Sequence, residues 1–235
     1  VDIRTRLSAQ EKVAEFVEAE LKRGDYTRKS FSLWKNVVHI AASREAQLTA
    51  AHDVFGMDIA DAPGALAESE DSQIWSDAMA GATELAGSDW TTVTSGRSAN
   101  NPYDDINAAM DAIEAAAGGG YVVDTLVAPR AVWSAFFGND YVKGQLQGQA
   151  FPVRLETGEF VVPALGLRGI RSHRVTSGCM IALDSRAGFV LGDGPSESAR
   201  YSDEKAGYDA FIIRQWLQPQ LLTANASRKL TGLLG

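Results

Sequence analysis

Apolar and polar positions along the chain predict helices first and strands later. Ser8-Ala9-Gln10-Glu11 fits a capping box, in which the Ser hydroxyl and the Glu carboxylate serve the first free amides of a helix. Val13, Phe16, Val17 and Leu21 then recur at helical spacing and Lys22-Arg23-Gly24 reads as an end, so an amphipathic helix is predicted over 8–23. Residues 31–40, from Phe31 through Trp34, Val37 and Val38 to Ile40, partly alternate and are rich in β-formers, which predicts a strand. Residues 53–101 are the least regular stretch, dominated by Gly, Ala, Ser and Asp and interrupted by Ile74-Trp75 and Trp90. They read as a long excursion with short elements, and a loop of that length in a compact domain usually has a job.

Asn101-Pro102 opens the clearest element. Asn is a good N-cap, Pro suits the first helical position, and Asp104-Asp105 complement the positive end of the helix. Ile106, Ala109, Met110, Ile113 and Ala117 form one apolar face and Gly118-Gly119-Gly120 stops it, giving a helix roughly 24 Å long. Tyr121 to Ala128 predicts a strand, and Pro129 starts a helix carrying Trp133, Phe136 and Phe137. Short strands follow at Glu159–Val162, Gly169–Val175, Gly178–Leu183 and Gly188–Leu191, and a long one at Tyr208–Leu222 broken by Pro219. The fold class is α+β, with no internal repeat.

The 235 residues suffice for one compact unit or two small ones. No stretch approaches the apolar length of a membrane span, and the charged, amphipathic first twenty residues do not read as a signal peptide. The start at Val1 and not at Met fits a processed N-terminus and simple disorder before it equally. Cys179 is the only cysteine, so no intrachain disulfide forms. The net charge of −8 lacks the basic face of a nucleic-acid reader. It is also uneven: residues 1–44 hold nine bases and six acids, whereas residues 45–96 hold ten acids and no Lys or Arg. Three readings of the acidic block stand open: a solvated surface, a high-salt environment, or a surface that meets the basic N-terminal segment of a neighbouring copy. On the third, reversing Lys22, Arg23, Arg28 and Lys29 impairs assembly in low salt.

Candidate chemistry reduces to bland readings. His173 and Cys179 would lie about 20 Å apart along one continuous strand. In a hairpin turning at Thr176-Ser177, Cys179 would instead pair with Arg174 while His173 faced away. Neither geometry makes a nucleophile–base dyad; Arg174 could lower the thiol pKa somewhat, and a structural cysteine is expected. His39, His52 and His173 are scattered without metal-ligand spacing. Gly118-Gly119-Gly120 lacks the Lys-Ser/Thr ending of a phosphate loop, and Asp193-Gly194 with Ser196 and Glu197 has the wrong spacing for calcium. Asp104-Asp105 are accounted for by the helix end. No catalytic, cofactor-binding or metal-ligating residue is expected, and the chain is expected not to be an enzyme.

The order of these features resembles the tailed-phage major capsid family, whose Hong Kong 97-type fold is shared with encapsulin nanocompartments. The resemblance is carried by Trp90, by Ser98-Ala99-Asn100-Asn101-Pro102-Tyr103-Asp104-Asp105-Ile106 and its helical continuation, and by Thr125-Leu126-Val127-Ala128-Pro129 followed by Ala131-Val132-Trp133. Ala199-Arg200-Tyr201-Ser202-Asp203, Tyr208 to Trp216, Pro219 and Lys229-Leu230-Thr231-Gly232 are similar to the closing strands of the same subunits. It covers roughly residues 85–235 as a matter of pattern and order.

The resemblance implies an N-terminal arm at 1–24, an extended-loop region with part of the peripheral domain at 25–100, and the peripheral spine helix at 101–120. It also implies an axial domain at about 121–205 and closing peripheral strands at 206–235. It implies self-assembly into hexamers and pentamers of an icosahedral shell around double-stranded DNA held without sequence-specific contact. Portal and scaffolding or cementing proteins are the implied partners, with no membrane, a virion location and assembly in the host cytoplasm. Some relatives crosslink Lys to Asn; Lys29 or Lys35 could donate, but no catalytic glutamate is identifiable, so non-covalent assembly is expected. An encapsulin-like compartment around a cargo enzyme is the alternative, followed by a small-molecule enzyme and a decoration or adaptor protein.

Overall fold

The β-forming stretch that begins at Phe31 becomes a strand from Trp34 to Ser43 in the computed structural model, which describes residues 2–4, 26–28, 30, 32–50, 52–116, 120–146, 153–154, 158–162 and 164–235. In chain order the elements begin β1 (Asp2–Arg4), β2 (Tyr26–Arg28), β3 (Trp34–Ser43), α1 (Arg44–Thr49), α2 (Val54–Gly81) and β4 (Thr83–Ala86). They continue with β5 (Val93–Thr94), β6 (Arg97–Ser98), α3 (Pro102–Glu114), β7 (Thr125–Ala128), α4 (Arg130–Gly138) and α5 (Asp140–Leu146). β8 (Val153–Arg154), β9 (Glu159–Val161), β10 (Arg168–Arg171), β11 (Met180–Leu183), β12 (Phe189–Asp203), β13 (Tyr208–Leu221) and β14 (Ser227–Thr231) complete the chain. The helix predicted over 8–23 lies outside the described residues, as do Gly118 and Gly119 of the predicted stop. α3 starts as expected, with the Asn101 side chain accepting from the Tyr103 amide at 3.2 Å and Pro102 in the first turn.

Two compact units result. The first comprises Val1–Ser30, Gly81–Phe189 and Leu221–Gly235. Its seven-stranded sheet has the order β4-β14-β11-β7-β10-β9-β8, with β7 parallel to β10 and β14 parallel to β4. All four β7 residues are buried, which is why that segment reads as a continuous apolar run without alternation. Leu126, Ala128, Met180, Ala182 and Leu230 share a core with Ile106, Ala109 and Ile113 of α3 and with Val132, Trp133 and Phe136 of α4. Gly169 leaves room for the Phe160 ring: a Cβ there would lie 2.6 Å from a ring carbon.

This packing corrects the expected boundaries. α3 and the strands after residue 121 share one core, so no boundary between compact units falls between them. The 206–235 segment is divided, with Val190–Gln220 in the second unit and Leu221–Gly235 in the first.

The second unit comprises Phe31–Ala80 and Val190–Gln220. Its three-stranded sheet has the order β12-β13-β3, and β13 pairs antiparallel with β3 from Tyr208↔Ser43 to Leu217↔Trp34. Pro219 lies beyond the last β3 pair, so its missing N–H breaks no bond to β3 and the strand runs on to Leu221, not broken as expected. β12 has fifteen residues where only Gly188–Leu191 were expected; most are exposed, so pairing holds the strand and hydrophobic alternation does not mark it.

The largest correction concerns residues 53–101, expected to be mostly irregular. α2 occupies 28 of them, about 42 Å of helix. Its buried residues are Phe55, Ala62, Leu66 and Ala78, so half of the stripe is alanine and the periodicity is faint. Pro63 and Gly64 read as breakers, yet both lie on the exposed side, where a missing N–H and a missing side chain cost least.

One backbone feature gives a stability prediction. Ala164 has φ of 63° in the turn between β9 and β10, which is closed by the Val162 amide donating to the Leu167 carbonyl at 2.7 Å. A left-handed L-residue is strained by about 1–2 kcal/mol, partly offset by the extra freedom glycine has when unfolded. Ala164→Gly is expected to stabilise by about 0.5 kcal/mol, raising the melting temperature by about 1–2 °C in a calorimetric scan. A lower melting temperature would show that the turn carries no such strain.

Candidate assembly surfaces

The segment from β10 to β11 does not form the hairpin considered for His173 and Cys179. Residues 172–179 are turns, with the Cys179 amide donating to the Thr176 carbonyl at 3.1 Å. Burial pushes the Cys179 thiol up, with Lys229 opposing and Glu84 adding to that effect, so the nearby cation that matters is Lys229 and not Arg174. A raised thiol is the reverse of an activated nucleophile. Among the described residues no group of three or more His, Cys, Asp and Glu side chains could hold a metal. A groove of about 180 Å³ in the second unit is lined by Trp34, Gln73, Ser76, Asp77, Leu217, Gln218 and Pro219. Asp77 is the one ionisable residue lining it, raised by burial, and a lone carboxylate makes no acid–base pair.

Asp104 and Asp105 separate in role. Asp104 is exposed in the first turn of α3. One carboxylate oxygen of Asp105, Oδ2, accepts from the Ser88 amide at 3.0 Å, the Ser88 hydroxyl at 2.7 Å and the Trp90 indole at 2.6 Å. Asn139, which sequence reasoning missed, is 1 % exposed and donates to the carbonyls of Trp90 and Asn100 at 3.3 and 2.8 Å. Ser98 and Asp140 exchange two bonds, the Ser98 amide to Asp140 at 2.9 Å and the Asp140 amide to the Ser98 hydroxyl at 3.0 Å. Residues 87–101 are thus tied to α3 and α5 by hydrogen bonds of Asp105, Asn139 and Asp140. Ser95-Gly96, both with positive φ, turn the β5–β6 hairpin out of this segment. Asp89 is lowered by the Thr91 and Thr92 hydroxyls and the Thr91 amide, which close the turn before it. The family resemblance rested on these residues, and what they build is a rigid corner.

The second unit presents two contrasting surfaces. Gln73 donates to Asn36 at 3.0 Å and Gln215 to Glu70 at 3.4 Å, which fixes the sheet face turned to α2. Strand alternation then places Lys35, Val37, His39 and Ala41, with Ala210, Ile212, Arg214 and Trp216 beside them, on the other face. That face has no covering layer among the described residues: Lys35, Val37, His39 and Ala41 are all exposed. His39 and Tyr201 reach across the central strand at 2.8 Å and shield Ala210, which is fully buried. Among the described residues of this unit the buried core is Ala42, Phe55, Ala62, Leu66, Ala78, Ala210 and Leu217, and a three-stranded sheet with so little core is marginal alone.

By sequence, no family model and no curated protein matches the chain. By structure the picture is definite. A capsid of a native GTA particle superposes with a TM-score of 0.72 at 10% identity, over 99% of this chain and 84% of that one. The mature capsid of bacteriophage PhiM1 gives 0.71 at 10% identity, over 98% and 80%. The SrpI encapsulin of Synechococcus elongatus PCC 7942 gives 0.61 at 12% identity, over 89% and 78%. The chain has an α+β shell-protein fold. More particularly, it is the tailed-phage capsid fold of the Hong Kong 97 type, which the encapsulin also has.

Proposed function

We propose that this chain is the repeating subunit of a closed icosahedral shell, a major capsid protein that forms hexamers and pentamers around double-stranded DNA. The observation that carries the reading is the fold, matched along nearly the whole chain by phage and GTA capsids. The second unit supports it: a sheet bare on one face, built on a small core, suits a subunit completed by its neighbours. The unit formed by 81–189 and 221–235 takes the part of the axial domain, and the unit formed by 31–80 and 190–220 that of the peripheral domain. α2, not α3, is then the spine helix. The net charge of −8 suits a wall that contains DNA without gripping it. Assembly is non-covalent, inside a host cytoplasm, with a portal and a scaffolding or cementing protein as further partners. The chain does no chemistry.

The encapsulin match supports a second reading, a compartment around a cargo enzyme. Negative-stain electron microscopy of the purified protein, with the ratio of absorbance at 260 and 280 nm, separates the two. Angular particles with a nucleic-acid ratio are expected. Shells filled with protein would favour the compartment, and a monodisperse monomer or dimer under assembly conditions would sink both.

A further inference from the structure

We propose that the bare sheet face of the second unit seats the outer face of α2 from a second copy, so that Lys35 and Arg214 of one subunit meet Asp58, Asp61 and Glu68 of the next. The inference rests on the shell reading and names one of its contacts. Asp58, Asp61 and Glu68 fall at helical spacing on the exposed side of α2. Between them the exposed positions are small, Ala60, Gly64 and Ala65, and a Cβ added at Gly64 would meet nothing nearer than Asp61 Oδ1 at 3.9 Å. Met57 on the same side is 65% exposed. A helix facing solvent usually carries long Lys, Arg and Gln side chains there, whereas no base occurs anywhere from 45 to 96. The surface is flat and acidic with an apolar end, as a surface meant for another flat surface would be.

The sheet face is its complement. Lys35 is exposed and has no acidic partner among the described residues, and Val37 and Trp216 give it apolar area. The buried Nε of Arg214 has no hydrogen-bond partner. It borders a hollow of about 230 Å³ with Glu197, Ser198, Ala199 and Ile212, and no ion pair joins it to Glu197 among the described residues. A buried guanidinium N–H without an acceptor favours an incoming carboxylate. Because the two surfaces differ, the contact is heterologous and propagates from copy to copy, closing into rings where the rotation allows.

The test uses the full chain with two variants. One is Asp58→Lys with Asp61→Lys and Glu68→Lys; the other is Lys35→Glu with Arg214→Glu. Each alone is expected to cut the assembled fraction by about tenfold or more in low salt, with helix content by circular dichroism unchanged. Joining both sets of substitutions in one chain is expected to restore particles, because every altered helix face then meets an altered sheet face of opposite charge. Should the Arg214 change prevent folding, Lys35→Glu alone, at an exposed position, carries the swap. Wild-type-like assembly by either variant, or no restoration in the chain that joins both sets, overturns the contact while leaving the shell reading intact. Restoration of the helix variant by reversing Lys22, Arg23, Arg28 and Lys29 would instead give the acidic stripe to the N-terminal segment and also overturn it. Absence of particles from the unaltered chain would overturn the shell reading itself.

Discussion

Replacing Asp105 by alanine is expected to cost the first unit about 3–4 kcal/mol, far more than the same change at its neighbour Asp104. Three donors converge on one Asp105 oxygen. Hydrogen bonds to a charged group contribute about 1.5–3 kcal/mol each, not fully additively, and a buried donor left without a partner is penalised further. Trp90 is 2% exposed, so its indole N–H has no water to turn to. Asp105→Asn keeps an acceptor in place and should lose only about 1–2 kcal/mol. Asp104→Ala removes only a favourable charge at the helix start, about 0.5 kcal/mol. The midpoint of urea unfolding, followed by tryptophan fluorescence at constant slope, ranks the three variants. Equal and small effects at both aspartates would show that the tie to Ser88 and Trp90 does not hold the corner.

Phe136→Ala is the second large effect, about 3–5 kcal/mol. The ring is fully buried and packs edge-on against four others: Phe137 at 5.2 Å between centroids, Tyr103 and Trp133 at 5.7 Å, and Trp90 at 5.9 Å. Each edge-to-face pair adds about 0.5–1.5 kcal/mol beyond area burial, and such a packed site has little room to collapse around the void. Phe136→Leu, which fills most of the volume, should cost about 1.5 kcal/mol. With two compact units a single melting temperature would blur the result, so amide exchange in β7 and β11 is the better measure. Unchanged protection of those amides in the alanine variant would mean that the aromatic cluster is not what holds the core.

How legible each part was depended on what holds it in place. α3 was plain because an Asn-Pro start and an apolar face of Ile106, Ala109 and Ile113 are local signals that its packing agrees with. β13 was plain for the same reason. α2 was missed because half of its buried stripe is alanine and its outer face carries Pro63 and Gly64, so neither side has a strong period. The length of β12 was missed because exposed strands are held by backbone pairing, which leaves no mark on residue order. In the proposed shell the spine role falls to α2 and not to α3, because the best-marked helix is the one a core surrounds and the longest is the one in the unit with little core. The proposed assembly surfaces were visible only as a charge imbalance between 1–44 and 45–96; which sheet face carries Lys35 and Arg214 needed the register of β3 with β13.

The place of β14 in the sheet sets a clock on the subunit. Four of the six strand pairings in the seven-stranded sheet join strands that are not consecutive in the chain, and β14 lies between β4 and β11 and comes after both. Until residues 227–231 have been synthesised, β4 has no strand beside it and β11 has one open edge, and the fully buried Leu230 and Leu233 are missing from the core. Contacts that span so much sequence are slow to form, and open edges are prone to pair with the wrong chain. A growing chain on the ribosome therefore carries an unfinished first unit until residues 227–231 have emerged. Polysomes hold many such chains side by side, so nascent copies present these open edges to one another until β14 is in place.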